Sequence, residues 1–162
     1  MPYSIAMLLR SPFAMSKDVL EAAGSKAYGV LYNGSDEKYF VLPGKPLVAG
    51  TRMTWMKSGP SMITILESAG PYLGEPAEVA QGFRDERLAC AWIEHRAWAA
   101  FDLQNRDVPK RQAYGVLAAL VAELIDARCA GIYLPKENQF TIQGDGSAER
   151  HLRSLQMAAG RR

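Results

Sequence analysis

Apolar positions along this chain recur with two periods, and the change from one to the other marks out the elements. Tyr3–Leu9, Ala97–Leu103 and Cys129–Leu134 are apolar at nearly every residue. Runs of six or seven such residues predict strands covered on both faces. In Ala97–Leu103 the odd positions are all apolar and the even ones are Trp98, Ala100 and Asp102, as expected of an interior strand. Arg52–Lys57 and Ser61–Glu67 alternate instead, around Ser58-Gly59-Pro60, and predict a hairpin. On its second arm Met62, Thr64 and Leu66 face one way, Ile63 and Ile65 the other. Tyr28–Tyr32 and Lys38–Leu42 read as two further strands joined by a loop over 33–37. Pro43-Gly44-Lys45-Pro46 and Gly50 interrupt the pattern, and Gln139–Gln143 reads as a late strand with Phe140 and Ile142 on one face.

The helical segments carry their own punctuation. Ser16 is placed to cap a short helix over Lys17–Ala23, closed by Gly24. Pro76 suits the first turn of a helix to Gln81, because its missing N–H has no partner there anyway. Asp85 caps a helix to about Glu94 whose inward face is expected to hold Leu88, Ala89, Trp92 and Ile93. Asp107-Val108-Pro109 opens the longest helix, to about Asp126, with Ala113, Val116, Leu117, Leu120, Val121 and Leu124 at helical spacing. A last helix starts at Ser147 and carries Leu152 and Leu155, and 158–162 is expected to be a frayed tail. The helix–strand–helix stretch from Arg84 to Gly131 is the unit onto which the rest packs. The expected class is α+β: an antiparallel or mixed sheet with packed helices and ferredoxin-like βαβ and βαββ units.

With 162 residues, 48% apolar and 22% charged, the chain fits one domain spanning 1–162 that can bury a core without staples. Nineteen basic against 17 acidic side chains leave a formal charge of +2, too little field to gather nucleic acid or an anionic membrane. No window approaches the roughly 18 apolar residues of a membrane span, and Arg10 ends the first apolar run without a cleavage signal. A cytoplasmic protein is expected, with no nucleic-acid or membrane partner. Cys90 and Cys129 are accordingly read as reduced, buried and inert thiols.

Candidate chemistry gathers around Glu94, His95, Arg96 and Asp102. An imidazole beside a carboxylate can act as a base. Along one strand, however, seven residues at ~3.3 Å each put His95 and Asp102 more than ~20 Å apart, too far for a dyad. His95 is expected to meet helix C-terminal carbonyls, and Asp102 a loop backbone or an arginine. Two histidines and two cysteines without paired spacing predict no metal site, and no cofactor motif is present. Gln143-Gly144-Asp145-Gly146-Ser147 lacks the phosphate-loop lysine, so Asp145 or Ser147 capping its own helix is the simpler reading. A ligand pocket would be sought where Asp102 leaves the sheet, near Asn105 and Arg106, with Tyr133 beside it.

Residues His95–Leu103, Ala113-Tyr114-Gly115, Ala130–Pro135 and Gly70-Pro71-Tyr72 together resemble a group of uncharacterised bacterial domains. These share a His-Arg-Ala-Trp strand ending in Asp-Leu, an alanine- and leucine-rich helix, and a short strand running into proline. The resemblance covers about the second half of the chain. It implies an α+β fold and carries over no catalytic residue. Three functional expectations follow. The first is a non-catalytic binding or interaction module, homodimeric through a sheet edge or apolar helix face or engaging one protein partner. The second is a small-substrate enzyme with Asp102 and Tyr133 or an arginine in a cleft, His95 being the remaining candidate. The third is an immunity-type or regulatory partner-binding protein.

Overall fold

A computed structural model describes residues 1–34, 36–44, 46–48 and 50–160. In chain order the elements are β1 (Tyr3–Leu9), α1 (Lys17–Tyr28), β2 (Tyr39–Leu42), β3 (Pro46–Val48), β4 (Thr51–Ser58), β5 (Ser61–Ala69), α2 (Pro76–Ala80), α3 (Glu86–Glu94), β6 (Ala97–Leu103), α4 (Lys110–Leu124), β7 (Cys129–Leu134), β8 (Gln139–Ile142) and α5 (Ser147–Ala158). Side-chain caps mark the starts of α1 and α3. Ser16 Oγ accepts the Val19 N–H at 3.3 Å and Asp85 Oδ1 the Arg87 N–H at 2.9 Å. Asp145 Oδ1 accepts the Ser147 N–H at 2.8 Å ahead of α5, but the N-cap position is Gly146 and carries no side-chain cap, contrary to the expectation for Asp145 or Ser147.

The first third departs from the pattern reading. Helix α1 does not stop at Gly24 but runs on to Tyr28, and Gly29 ends it in the left-handed region at φ 64°. Gly24 serves packing instead: a Cβ there would come within 2.3 Å of Met56 Cε and 2.8 Å of the Tyr32 ring. The apolar run Tyr28–Tyr32 is therefore a helix end and a loop rather than a strand, with the Tyr28 hydroxyl donating to Val116 O at 2.9 Å. Strand β3 was not foreseen in the Pro43–Gly50 break. The expected loop over 33–37 includes Ser35, the break includes Lys45, and the expected tail includes 161–162; these lie outside the described residues.

All strand pairings are antiparallel, in the order β2-β4-β5-β6-β1-β7-β8, with β3 on the outer side of β4. Strand β6 lies inside the sheet between β5 and β1, as its two apolar faces require. Strands β1 and β5 run parallel to each other on either side of β6, as β6 and β7 do on either side of β1.

Cross-strand register assigns each side chain to a face. The first face carries Ile5, Met7, Leu9, Ile63, Ile65, Phe101, Leu103 and Ile132, and α1, α4 and α5 cover it. Leu117, Leu120 and Val121 of α4 are fully buried there, each contributing on the order of 1.5–3 kcal/mol. Helix α5 approaches α4 so closely that a Cβ on Gly115 would lie 2.2 Å from Ala159 Cβ. The second face carries Ala6, Leu8, Ala100, Tyr133 and Phe140, covered by α3 and its neighbour α2 through Ala91, Trp92, Leu88 and Val79. Thus α3 is rotated from the expected orientation. Ala91 joins Leu88 and Trp92 on its inner side, and Ile93 and Cys90 are exposed.

Candidate functional site

Cover on the second face ends part-way across the sheet. One row of cross-strand partners runs Met53–Leu66–Ala100–Ala6–Tyr133–Phe140 through β4, β5, β6, β1, β7 and β8. At its far end Trp92 packs edge-on against Tyr133 and Phe140, with centroids 5.3 and 5.2 Å apart. At its near end Met53 and Leu66 remain partly open to solvent. The adjacent row, Leu42–Trp55–Thr64–Asp102–Ser4, crosses β2, β4, β5, β6 and β1. Leu42 is 58% exposed and Trp55 partly so.

At the centre of this second row stand three polar side chains in an otherwise apolar neighbourhood. Asp102 is partly buried, and Ser4 stands opposite it as its cross-strand partner on the next strand. Burial raises its carboxyl above the ordinary 3.8, outweighing the opposing effect of Ser4. Among the described residues Asp102 forms no ion pair. Lys57, the cation on the same face, is two strands and one row away, roughly 12 Å by strand and residue spacing. On the other flank Thr64 is only 4% exposed, and its Oγ1 has no hydrogen-bond partner among the described residues. Buried hydroxyls are nearly always paired, so Thr64 stands out.

The loop after β5 borders the site. Tyr72 packs edge-on to Trp98 at 5.1 Å and to Tyr133 at 6.1 Å, and the negative charge of Asp102 adds to burial in raising the Tyr72 phenol. Three of the loop's residues take positive φ: Gly70 (111°), Leu73 (60°) and Gly74 (93°). Leu73 pays a steric cost there that glycine would not, and it holds its apolar side chain 56% exposed. Two backbone contacts fasten the loop: Gly70 N–H donates to Arg96 O at 2.7 Å and Tyr72 N–H to His95 Nε2 at 2.9 Å.

These contacts decide the role of His95. Its Nε2 accepts a backbone N–H, so the ring proton sits on Nδ1 and is donated to Trp92 O, a helix C-terminal carbonyl as expected. The ring is 1% exposed, and burial, reinforced by Arg96, lowers its pKa against the hydrogen bond to Trp92 O. Both nitrogens are occupied, and His95 acts as a fastener for the loop, not a base. Tyr133 is likewise engaged, donating its hydroxyl to Asn138 Oδ1 at 2.9 Å. Glu94 pairs with Arg10 at 2.9 Å and Arg96 donates to Ile93 O at 2.7 Å, both away from Asp102. Asp102 itself has neither the arginine nor the loop-backbone partner expected of it among the described residues, and its cross-strand neighbour is Ser4.

A cavity of about 490 Å³ does open near Asn105 and Arg106, lined by Tyr3, Leu103, Gln104 and Lys136 as well. Tyr3 and Leu103 belong to the other face, and neither Asp102 nor Tyr133 lines it, so the expected pocket divides into two places. Asn105 is a strut, accepting Met62 N–H at 2.8 Å and donating to Pro60 O at 2.9 Å. Of the cysteines, Cys129 is buried, its thiol pushed up to about 12, whereas Cys90 is exposed, correcting the expectation for it. Among the described residues no group of three or more His, Cys, Asp or Glu is placed to hold a metal ion. No helix is long and apolar enough to cross a membrane among those residues.

Ser4, Thr64 and Tyr72 are the site residues that sequence reasoning missed. Each left a faint signal: Ser4 interrupts an apolar run, Thr64 sits between Met62 and Leu66, and Tyr72 follows Gly70-Pro71. Comparison with protein-family models, curated proteins and solved structures finds no match to this chain.

Proposed function

We propose that this protein is a non-catalytic binding module that takes a small ligand on the open part of the second face, at Asp102. What carries the reading is the row Thr64–Asp102–Ser4: a desolvated carboxyl and an unpaired hydroxyl held side by side at the border of a helical cover. Specific small-molecule sites combine apolar walls with a few such polar groups. Catalysis has less support, because His95 and Tyr133 spend their polar atoms on the scaffold. The one observation favouring an enzyme is the raised carboxyl of Asp102, which suits a general acid.

The ferredoxin-like reading of the core belongs to this proposal. Its support is the order β7-β1-β6-β5 with α1 and α4 on one face. The likeness to uncharacterised bacterial domains belongs to it too and adds no residue role. Amide shift mapping with a panel of small probes (hexylammonium, hexanoate, hexanol and indole) tests the binding reading. Shifts centred on Ser4, Thr64 and Asp102 are expected from at least one probe. Shifts confined to other surfaces, or none with any probe, would overturn it. A protein partner or second copy would instead cover Phe40, Leu42 and Met53 and change the sedimentation rate.

A further inference from the structure

Resting on that reading, we infer that the ligand presents a primary ammonium group on an apolar body, with the cation seated on Asp102 between Ser4 and Thr64. Three features specify this chemistry. A partly buried carboxyl without an ion-pair partner carries a desolvation cost that a cation can offset, whereas an anion would add to it. The acceptors suit three donors. Asp102 offers its carboxylate oxygens, its cross-strand neighbour Ser4 offers a hydroxyl, and Thr64 Oγ1 has lone pairs with no partner among the described residues. An ammonium carries three N–H donors and no acceptor, so it can bridge Asp102 and one flanking hydroxyl, Ser4 and Thr64 themselves standing two strand spacings, about 10 Å, apart.

The walls define the rest of the ligand. From Asp102 the face continues toward Trp55, Leu66 and Met53, all partly open and apolar. An alkyl or aryl body can lie along that strip without burying a polar atom. On the other side Tyr72 stands at the rim, near enough for the charge of Asp102 to act on its phenol, and an aromatic ring beside a cation favours it further. Lys57 lies beyond the strip, too far to occupy the carboxyl itself and placed to disfavour a second cation at the body's far end. A monocation is therefore expected rather than a diamine.

The experiment compares hexylammonium, hexanol and hexanoate by amide shift titration of the full chain. It is repeated on Asp102→Asn and Thr64→Val, near-isosteric changes whose folding is checked by thermal melting. Hexylammonium is expected to bind at least tenfold more tightly than hexanol, with hexanoate weakest. Asp102→Asn should remove at least tenfold of that affinity and erase the preference for hexylammonium over hexanol, and Thr64→Val should cost a few-fold. Equal binding of hexylammonium and hexanol, or undiminished ammonium binding to Asp102→Asn, would overturn the cation while the binding reading stands. Shifts from every probe that avoid Ser4, Thr64 and Asp102 would overturn both.

Discussion

The two faces of this sheet are built from the same strands to different ends. Three helices close the first face over a core of mostly aliphatic side chains with Phe101, Tyr114 and Tyr32 among them. On the second face one short helix and its neighbour cover the β7–β8 side and reach inward to Ala6, Leu8 and Ala100, leaving the β4–β5 side open. Their contact is mostly aromatic, and it stops at Tyr72 and Trp98 just short of Asp102. A closed face stabilises through lost water, whereas an open one keeps solvent access and can afford polar groups that would be costly in the core. In this fold the stability and the candidate chemistry are consequently assigned to opposite sides of the same five or six strands.

The sharpest way to break that contrast is a pair of truncations. Leu117→Ala, on the closed side, is expected to cost about 2–5 kcal/mol in urea denaturation, and Leu66→Ala, on the open side, under about 1 kcal/mol. Equal costs would mean that the open side is part of the core after all.

Next in size is an acid effect from the histidine that secures the loop. His95 titrates below 6.5 when folded and near 6.5 when unfolded, so the unfolded chain binds the extra proton. Stability is then full above pH 6.5 and falls as pH drops below it, by up to about 1.4 kcal/mol per pH unit. His95→Gln can keep both hydrogen bonds and should flatten this limb by one proton. His151, also lowered by burial, leaves its share in both proteins. Chemical denaturation between pH 4.5 and 7.5 checks it, and identical slopes would remove His95 from the account.

Asp102 should behave with the opposite sign. Its folded carboxyl is raised above 3.8, so stability declines as pH rises from 3.8 through the folded value. Asp102→Asn is expected to match the wild-type chain in acid and exceed it slightly at neutral pH, even as it loses the ligand. A destabilised Asn variant at pH 7 would instead mark the carboxylate as structural. The smallest expected change in stability accompanies alkylation: iodoacetamide should label Cys90 readily and spare Cys129 in the folded protein, as mass spectrometry can report.

Much of the architecture was legible because it is local. Tyr3–Leu9, Ala97–Leu103 and the stripe from Ala113 to Leu124 carry their periods within one element, and Ser16 and Asp85 mark starts by their own chemistry. What escaped depends on distant partners. Gly24 looks like a stop, yet its missing Cβ makes room for Met56 and Tyr32, which no local pattern reveals. The nine-residue α3 has too few turns to fix its rotation, so Cys90 and Ala91 exchanged sides. Asp102 was recognisable as a lone carboxyl at the end of an apolar strand. Its neighbours were not, because Ser4 and Thr64 reach it only through pairings 98 and 38 residues apart, which follow from the register.

Strand lengths at the two margins have a consequence of their own. Inner strands have six to nine residues, whereas β8 has four and the outer side of β4 is divided between β2, of four, and β3, of three. Proline 46 opens β3 and offers no N–H for further pairing. Neither border presents a long, even ladder on which a neighbouring chain could template itself, so growth by strand addition is discouraged. That restraint lets the molecule leave a greasy plane uncovered without the sheet extending into a fibre.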